Sequence, residues 1–409
     1  MNKTIFLSLL SAFIFWQCDT ASNEPAPYLP VTADMEQAAD MNQTLGWDLF
    51  HQEQQALPEE NILISPYSVQ TALFMAQNGA QGSTLGQMLD LMDGSNVSVE
   101  SLNQAHKQLN TLLTNPADHP EVTVANSYFY DAERIDVEQA FLNPLSEFYA
   151  ASSESLDFRQ EAQSKQTINN WVSEKTNGKI PVIVEEITSE DVAFLINALY
   201  FKADWLAGFP EELTFDGTFQ TAAGGTTEVP FVNQDASFLT AQADGLHMVD
   251  LPFKDSTYSL TLIMPDPEQP DPQWPTSLTK DRWLALYDAI QPGRAIVQFP
   301  KLKLEYGNNL VGSLRSLGME NAFSPALADF QLMGSATNGQ NIFIKQIAHK
   351  AVLEVDEQGA EGAAATSIGF GTTSVPPFFR FDQPFVLVLR HIETNTMLFT
   401  GYVADPSVE

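Results

Sequence analysis

The chain has one cysteine, Cys18, and few cations: 19 Lys and Arg stand against 52 Asp and Glu, a formal net charge of −33 over 409 residues. A single cysteine excludes an internal disulfide framework, so the fold must be held by packing. A field of that sign repels nucleic acid, heparin-like polyanions and anionic lipid. Nucleic-acid and polyanion binding are therefore excluded as functions. The six histidines, 51, 106, 119, 247, 349 and 391, are scattered, and no two share metal-ligand spacing. There is no Gly-x-Ser-x-Gly elbow and no H-E-x-x-H pair. Gly369-Phe-Gly371 begins like a dinucleotide loop, but its third glycine is missing and Pro376-Pro377 replaces the helix. No catalytic residue, metal or cofactor is expected.

What is present is ample core material: 44% of residues are hydrophobic and 17% charged, a globular composition. The N-terminus carries Lys3 and then an apolar stretch over 5–16. That stretch is too short to span a bilayer and reads as an export signal. It ends at Cys18, where a bacterial lipoprotein signal places its lipidated cysteine. Gln17 departs from the small residue preferred there, and an ordinary secretory signal is the alternative. The expected organisation is a signal over 1–17, a Pro-rich tether over 18–33 and one domain over 34–409. Export to the outer membrane or cell surface as a lipoprotein follows, or else to the periplasm or the exterior.

Helical periodicity marks 42–54, 85–91, 102–113, 138–149 and 163–176, with Ser68 a candidate cap for a helix running to Asn78. Strand signals follow over 122–130, 192–201, 258–264, 296–306, 352–355, 385–392 and 397–403. His349, Ala351, Leu353 and Val355 alternate with Lys350, Val352, Glu354 and Asp356, as on a half-exposed sheet. Helices gathered early and strands late argue for α+β with antiparallel sheets. Between the last strands lies a run over 357–377 dominated by Gly, Ala, Ser and Thr. Loops that long in a compact domain are uncommon and usually functional or disordered. This one lacks the charge and proline density of a solvated linker; its side chains are small enough to enter a sheet.

Several ordered blocks resemble the serpin family: Asn61-Ile-Leu-Ile-Ser-Pro66-Tyr-Ser-Val69; Gly79-Ala-Gln-Gly82-Ser-Thr84; Ile168-Asn-Asn-Trp171-Val with Thr176-Asn-Gly-Lys-Ile180; Asn197-Ala-Leu-Tyr-Phe-Lys202-Ala-Asp-Trp205; Leu317-Gly-Met319 with Ala322-Phe323 and Ala328-Asp-Phe330; His349-Lys-Ala-Val352; and Asp382-Gln-Pro-Phe385. The resemblance covers 41–406. It implies an α+β fold of three mainly antiparallel sheets with eight or nine helices and an exposed reactive loop. It also implies a monomeric suicide-substrate inhibitor. A target protease cuts the loop, and the acyl-enzyme is trapped as the cut loop inserts into the central sheet.

On that resemblance the hinge comprises Glu357, Gly359, Ala360, Glu361, Gly362, Ala363, Ala364, Ala365 and Thr366. Ala360, Gly362, Ala364 and Thr366 would face inward after insertion, and all are small and uncharged. Gly359 gives the backbone freedom to reverse, and Gly362, where alanine is usual, weakens the strand by about 0.5–1 kcal/mol. Alignment places the reactive bond at Thr373–Ser374, with Thr372–Thr373 and Phe370–Gly371 as alternatives. Cutting at Phe370 would shorten the inserting strand by about 10 Å. A small uncharged Thr373 suits elastase-like or subtilisin-like serine proteases, or a tolerant papain-like cysteine protease. Ser65, Ser68, Asn197 and His349 resemble the family's shutter, and Trp205, Lys301 and Glu357 its breach, where Lys301 and Glu357 should pair. The rival readings are a non-inhibitory serpin acting as a binding or chaperone-like protein, and a hydrolase.

Overall fold

The computed structural model describes residues 30–114, 120–269, 271, 273–360 and 376–408. Along the chain run α1 (Ala33–Ala56), β1 (Ile62–Ile64), α2 (Pro66–Gln77), α3 (Gly82–Asp90), α4 (Val99–Leu113), β2 (Glu121–Tyr130), β3 (Ile135–Val137), α5 (Gln139–Tyr149), β4 (Ser152–Ser155), α6 (Glu161–Lys175), β5 (Ala193–Asp204), β6 (Phe215–Gln220), β7 (Thr226–Ala243), β8 (Leu246–Pro252), β9 (Tyr258–Pro265), α7 (Lys280–Asp288), β10 (Gln291–Pro300), β11 (Leu302–Asn309), α8 (Val311–Ser316), β12 (Gly334–Ala336), β13 (Ala348–Val355), β14 (Gly359–Ala360), β15 (Phe378–Arg380), β16 (Phe385–His391) and β17 (Met397–Val403). The expected α+β architecture of mainly antiparallel sheets is present.

Two expectations are corrected. The apolar run over 296–306 is two strands rather than one: Lys301 separates β10 from β11, and they belong to different sheets. Ser68 does not cap its helix. Ser65 is the cap, its hydroxyl accepting from Ser68 N–H, with Pro66 as the first helical residue, where a missing N–H costs nothing.

A nine-stranded sheet follows the order β1-β17-β16-β9-β8-β7-β10-β15, with β6 also on β7. The 18-residue β7 makes it continuous, pairing with β6, β10 and β8 in turn. β16 and β17 are buried at every position, as expected of strands covered on both faces.

The sheet that carries the candidate site is divided. β5 pairs along its length with β2, and β4 lies parallel beyond β2. β13 pairs antiparallel with β11. β5 and β13 share no ladder with each other. Both end at the same pole, where the backbone N–H of Trp205 donates to the Gln358 carbonyl at 2.8 Å.

The alternation of β5 divides its side chains between two cores. Leu199, Phe201 and Ala203 join the main core. Phe194, Ile196 and Ala198 join a second cluster with Ile168 and Val172 of α6 and with Ile180, Val184 and Ile187 of the connector that follows α6. On β13, His349, Ala351, Leu353 and Val355 are buried as the alternation predicts, while Val352 on the other face packs against the α6 cluster. A cavity of about 660 Å³ lies between the two lips, floored by α2 and roofed by the connector.

Candidate insertion site at the divided sheet

At the pole, β13 ends in a turn that Asp356 organises. Its carboxylate accepts from the N–H groups of Gln358 (2.8 Å) and Gly359 (3.3 Å), and its own N–H donates to the Gly359 carbonyl at 3.0 Å. The chain reverses at Gly359, whose φ is +147°. A Cβ there would lie 2.1 Å from the Ala203 carbonyl oxygen. Only glycine tolerates that conformation and that approach. Gly359 and Ala360 then lie antiparallel against Asp204 and Ala203. Gly359 and Ala360 thus form two rungs on the side of β5 away from β2, and Ala360 is 1% exposed.

Around the turn, the structure brings together Trp205, Lys301 and Glu357, the three residues that the resemblance assigns to the breach. The Lys301 ammonium is 3.0 Å from a Glu357 carboxylate oxygen. Thr214 donates to the other oxygen at 2.7 Å. Burial opposes ionisation of Glu357, but the bonds from Thr214 and Lys301 outweigh it and hold its carboxyl below the ordinary range. The Trp205 indole stacks on Phe253 with centroids 4.5 Å apart and donates its N–H to the Asp356 carbonyl at 2.9 Å. The Phe209 N–H donates to the Glu357 carbonyl at 2.8 Å. The sequence did not single out Thr214, Phe253 or Asp356. They act through packing and backbone contacts that leave no motif.

Of the four positions that the resemblance assigns to the shutter, His349 stands on the β13 lip, Asn197 on the β5 lip, and Ser65 and Ser68 at the start of α2. On the β13 side, the Ser65 N–H donates to His349 Nε2 at 3.2 Å, and the Ser65 hydroxyl donates to that of Ser68 at 2.9 Å. Burial pushes the His349 imidazole down to about 4, so the ring is neutral at pH 7. Asn197 stands on the β5 side. Its amide donates to Asn126 Oδ1 at 2.7 Å, while its own Oδ1 has no partner among the described residues and it lines the cavity. Asn126 in turn donates to the Tyr149 carbonyl at 2.8 Å. The remaining hinge positions, Glu361, Gly362, Ala363, Ala364, Ala365 and Thr366, lie outside the described residues. So do Thr373, Ser374 and Cys18.

Chemically, the site is a cleft with mechanical rather than catalytic features. It has a two-residue strand at one end, two lips that share no ladder, and polar side chains on both. Residues 40–406 match the family model described as Serpin (serine protease inhibitor). Antithrombin-III of Mus musculus is 30% identical over 360 residues, covering 85% of this chain and 77% of that protein. The leukocyte elastase inhibitor of Bos taurus is 31% identical over 385 residues, covering 91% of this chain and all (100%) of that one. Among solved structures, the native state of the thermophilic serpin tengpin matches with a TM-score of 0.82 at 29% identity, covering 93% of this chain and 96% of that one. Human thyroxine-binding globulin matches with the same TM-score of 0.82 at 23% identity, a likeness of fold alone, over 91% of this chain and 100% of the other. The chain belongs to the serpin family.

Proposed function

We propose that the chain is an exported suicide-substrate inhibitor of serine proteases with a preference for small uncharged residues. The target's serine attacks the Thr373 carbonyl and the amine of Ser374 leaves. An ester then tethers the protease to Thr373 until the cut segment inserts between β5 and β13. The observation that carries this reading is the pairing of Gly359 and Ala360 with β5 beside an open lip. Continuing that antiparallel register would set Gly362 opposite Phe201, Ala364 opposite Leu199 and Thr366 opposite Asn197, on the face that Leu199 and Phe201 give to the main core. Glu361 would meet Lys202, which is exposed. Small side chains would thus enter the core, and the one charge would find a cation outside it.

The leukocyte elastase inhibitor among the relatives supports an elastase-like target, as does the small side chain of Thr373. The N-terminal segment supports export, with Cys18 as a lipid anchor at the outer membrane or cell surface. The test is to nick the loop with an elastase-like protease, map the cut by mass spectrometry and follow melting. Insertion predicts a large rise in melting temperature after cleavage. An unchanged melting temperature would overturn the reading.

A further inference from the structure

The connector between α6 and β5, residues 176–192, is covalently part of the β5 lip, yet it is fastened to the opposite lip by two lysines. The Lys179 ammonium lies 2.9 Å from Glu354 of β13. The Lys345 ammonium, in the extended segment that leads into β13, donates to Thr188 Oγ1 at 2.6 Å and lies 3.5 Å from Asp191. Arg134, beyond the end of β2, holds the same connector from the near side, donating to the carbonyls of Thr188 (2.7 Å) and Asp191 (2.9 Å). Between these fastenings Ile180, Val184 and Ile187 press into the cluster under α6, and Ile183, Val184 and Asp191 line the cavity. The roof over the cleft is therefore tied down on both sides.

We infer that Lys179 and Lys345 are electrostatic straps whose release sets the rate at which a strand enters the cleft. This rests on the inhibitor reading above. A strand entering between β5 and β13 widens the distance between the lips, and each strap spans that distance. Solvent reaches at least one partner of each pair: Lys179–Glu354 is half-exposed on both sides, at 29% and 33%, and at Lys345–Asp191 a half-exposed lysine (37%) meets a buried carboxylate (8%). Pairs of that kind are weak and are screened by salt, which suits a latch that must open within the lifetime of an acyl-enzyme. In a chain with 19 cations against 52 anions, two lysines placed across one cleft form a contact that the carboxylate excess cannot supply by itself. The same strand offers an internal control. Lys350 pairs with Glu305 at 2.9 Å with comparable exposure, but both residues sit on the β13–β11 side.

The experiment measures how fast the loop-nicked full chain acquires its heat-stable form, at low and high salt. Lys179→Gln and Lys345→Gln should each accelerate it about two- to fivefold, the range expected from loss of one such pair. High salt should accelerate the wild type toward the variants. Lys350→Gln should leave the rate unchanged, and the swap Lys179→Glu with Glu354→Lys should restore it. Equal rates in wild type and strap variants, or equal acceleration by Lys350→Gln, would overturn the inference. If the nicked chain never gains a heat-stable form, the inhibitor reading fails instead. Hydrogen exchange of residues 176–192 in the intact protein then decides the straps. Faster exchange in Lys179→Gln and Lys345→Gln than in Lys350→Gln supports them, and unchanged exchange overturns them.

Discussion

Ala360 faces Ala203 across an antiparallel rung, and both are buried, at 1% and 4% exposure. A carboxylate at this position would have to enter the core, at a cost of several kcal/mol. Ala360→Glu should leave the loop cleavable while raising the moles of inhibitor consumed per mole of protease at least about tenfold, because deacylation overtakes a stalled strand. Titration of residual protease activity reads this directly. An unchanged stoichiometry would remove Ala360 from the insertion path.

Gly359 makes the reversal that puts Ala360 there. Its φ is +147°, and the Ala203 carbonyl oxygen stands 2.1 Å from the place a Cβ would occupy, so Gly359→Ala requires the turn to move. The substitution should lower stability by about 1–3 kcal/mol, the cost of a strained backbone position, and detach Gly359–Ala360 from β5. Urea denaturation measures the first effect, and amide exchange at Ala203 and Ala360 the second.

The Lys301–Glu357 pair joins the start of the hinge to the junction of β10 and β11. Glu357 is 8% exposed in its side chain but Lys301 is 39% exposed, so the contribution must be discounted for solvent screening. Lys301→Met should cost about 1 kcal/mol at pH 7. The folded-state pKa of Glu357 is lowered from its ordinary 4.5, so the folded state favours the carboxylate. The stabilisation is therefore present above that pH and is lost as the pH falls below it. The gap between wild type and Lys301→Met in chemical denaturation should close on acidification past 4.5.

His349 titrates with the same sign, in a window set by the imidazole rather than the carboxylate. Its imidazole is pushed down to about 4 by burial, so between about 6.5 and 4 the unfolded chain binds more protons and stability falls as the pH drops. Protonation also places a proton on Nε2, which accepts from Ser65 N–H at 3.2 Å, and so breaks the tie between β13 and α2. A backbone bond to Leu63 and, less, the Glu53 carboxylate act against the shift and so soften it. Buried His106 and His391, pushed down to about 3 and about 4, add to the same trend. Melting curves from pH 7 to 4 should show a steep fall in wild type and a shallower one in His349→Gln. Parallel curves would show that His349 carries none of it.

The α+β fold and its strand-rich second half were legible because β5, β13, β16 and β17 carry uninterrupted apolar or alternating patterns. β7 was not. Its sequence TTEVPFVNQDASFLTAQA mixes a proline, charges and amides, because it shares successive neighbours and lies half in solvent. The boundary at Lys301 was hidden for the opposite reason: β10 and β11 are both apolar at alternate positions, so the change of sheet leaves no change of pattern. Ser65, rather than Ser68, is the helix cap because Pro66 sits at the first helical position, a signal present in the sequence. At the candidate site, the Lys301–Glu357 pair and the reversal at Gly359 followed from family motifs. The division between β5 and β13, the unpartnered oxygen of Asn197 and the lysine straps did not. Each depends on how far apart two strands stand, which no local pattern records.

Under the proposed function an attacking protease is trapped. Mixing the full chain with an elastase-like serine protease, then resolving the products on a denaturing gel with intact-mass analysis, tests it most directly. The expected product is a denaturant-stable adduct whose mass is the protease plus the chain truncated after Thr373, less one water. Cleaved chain and fully active protease, with no adduct at any molar ratio, would contradict it.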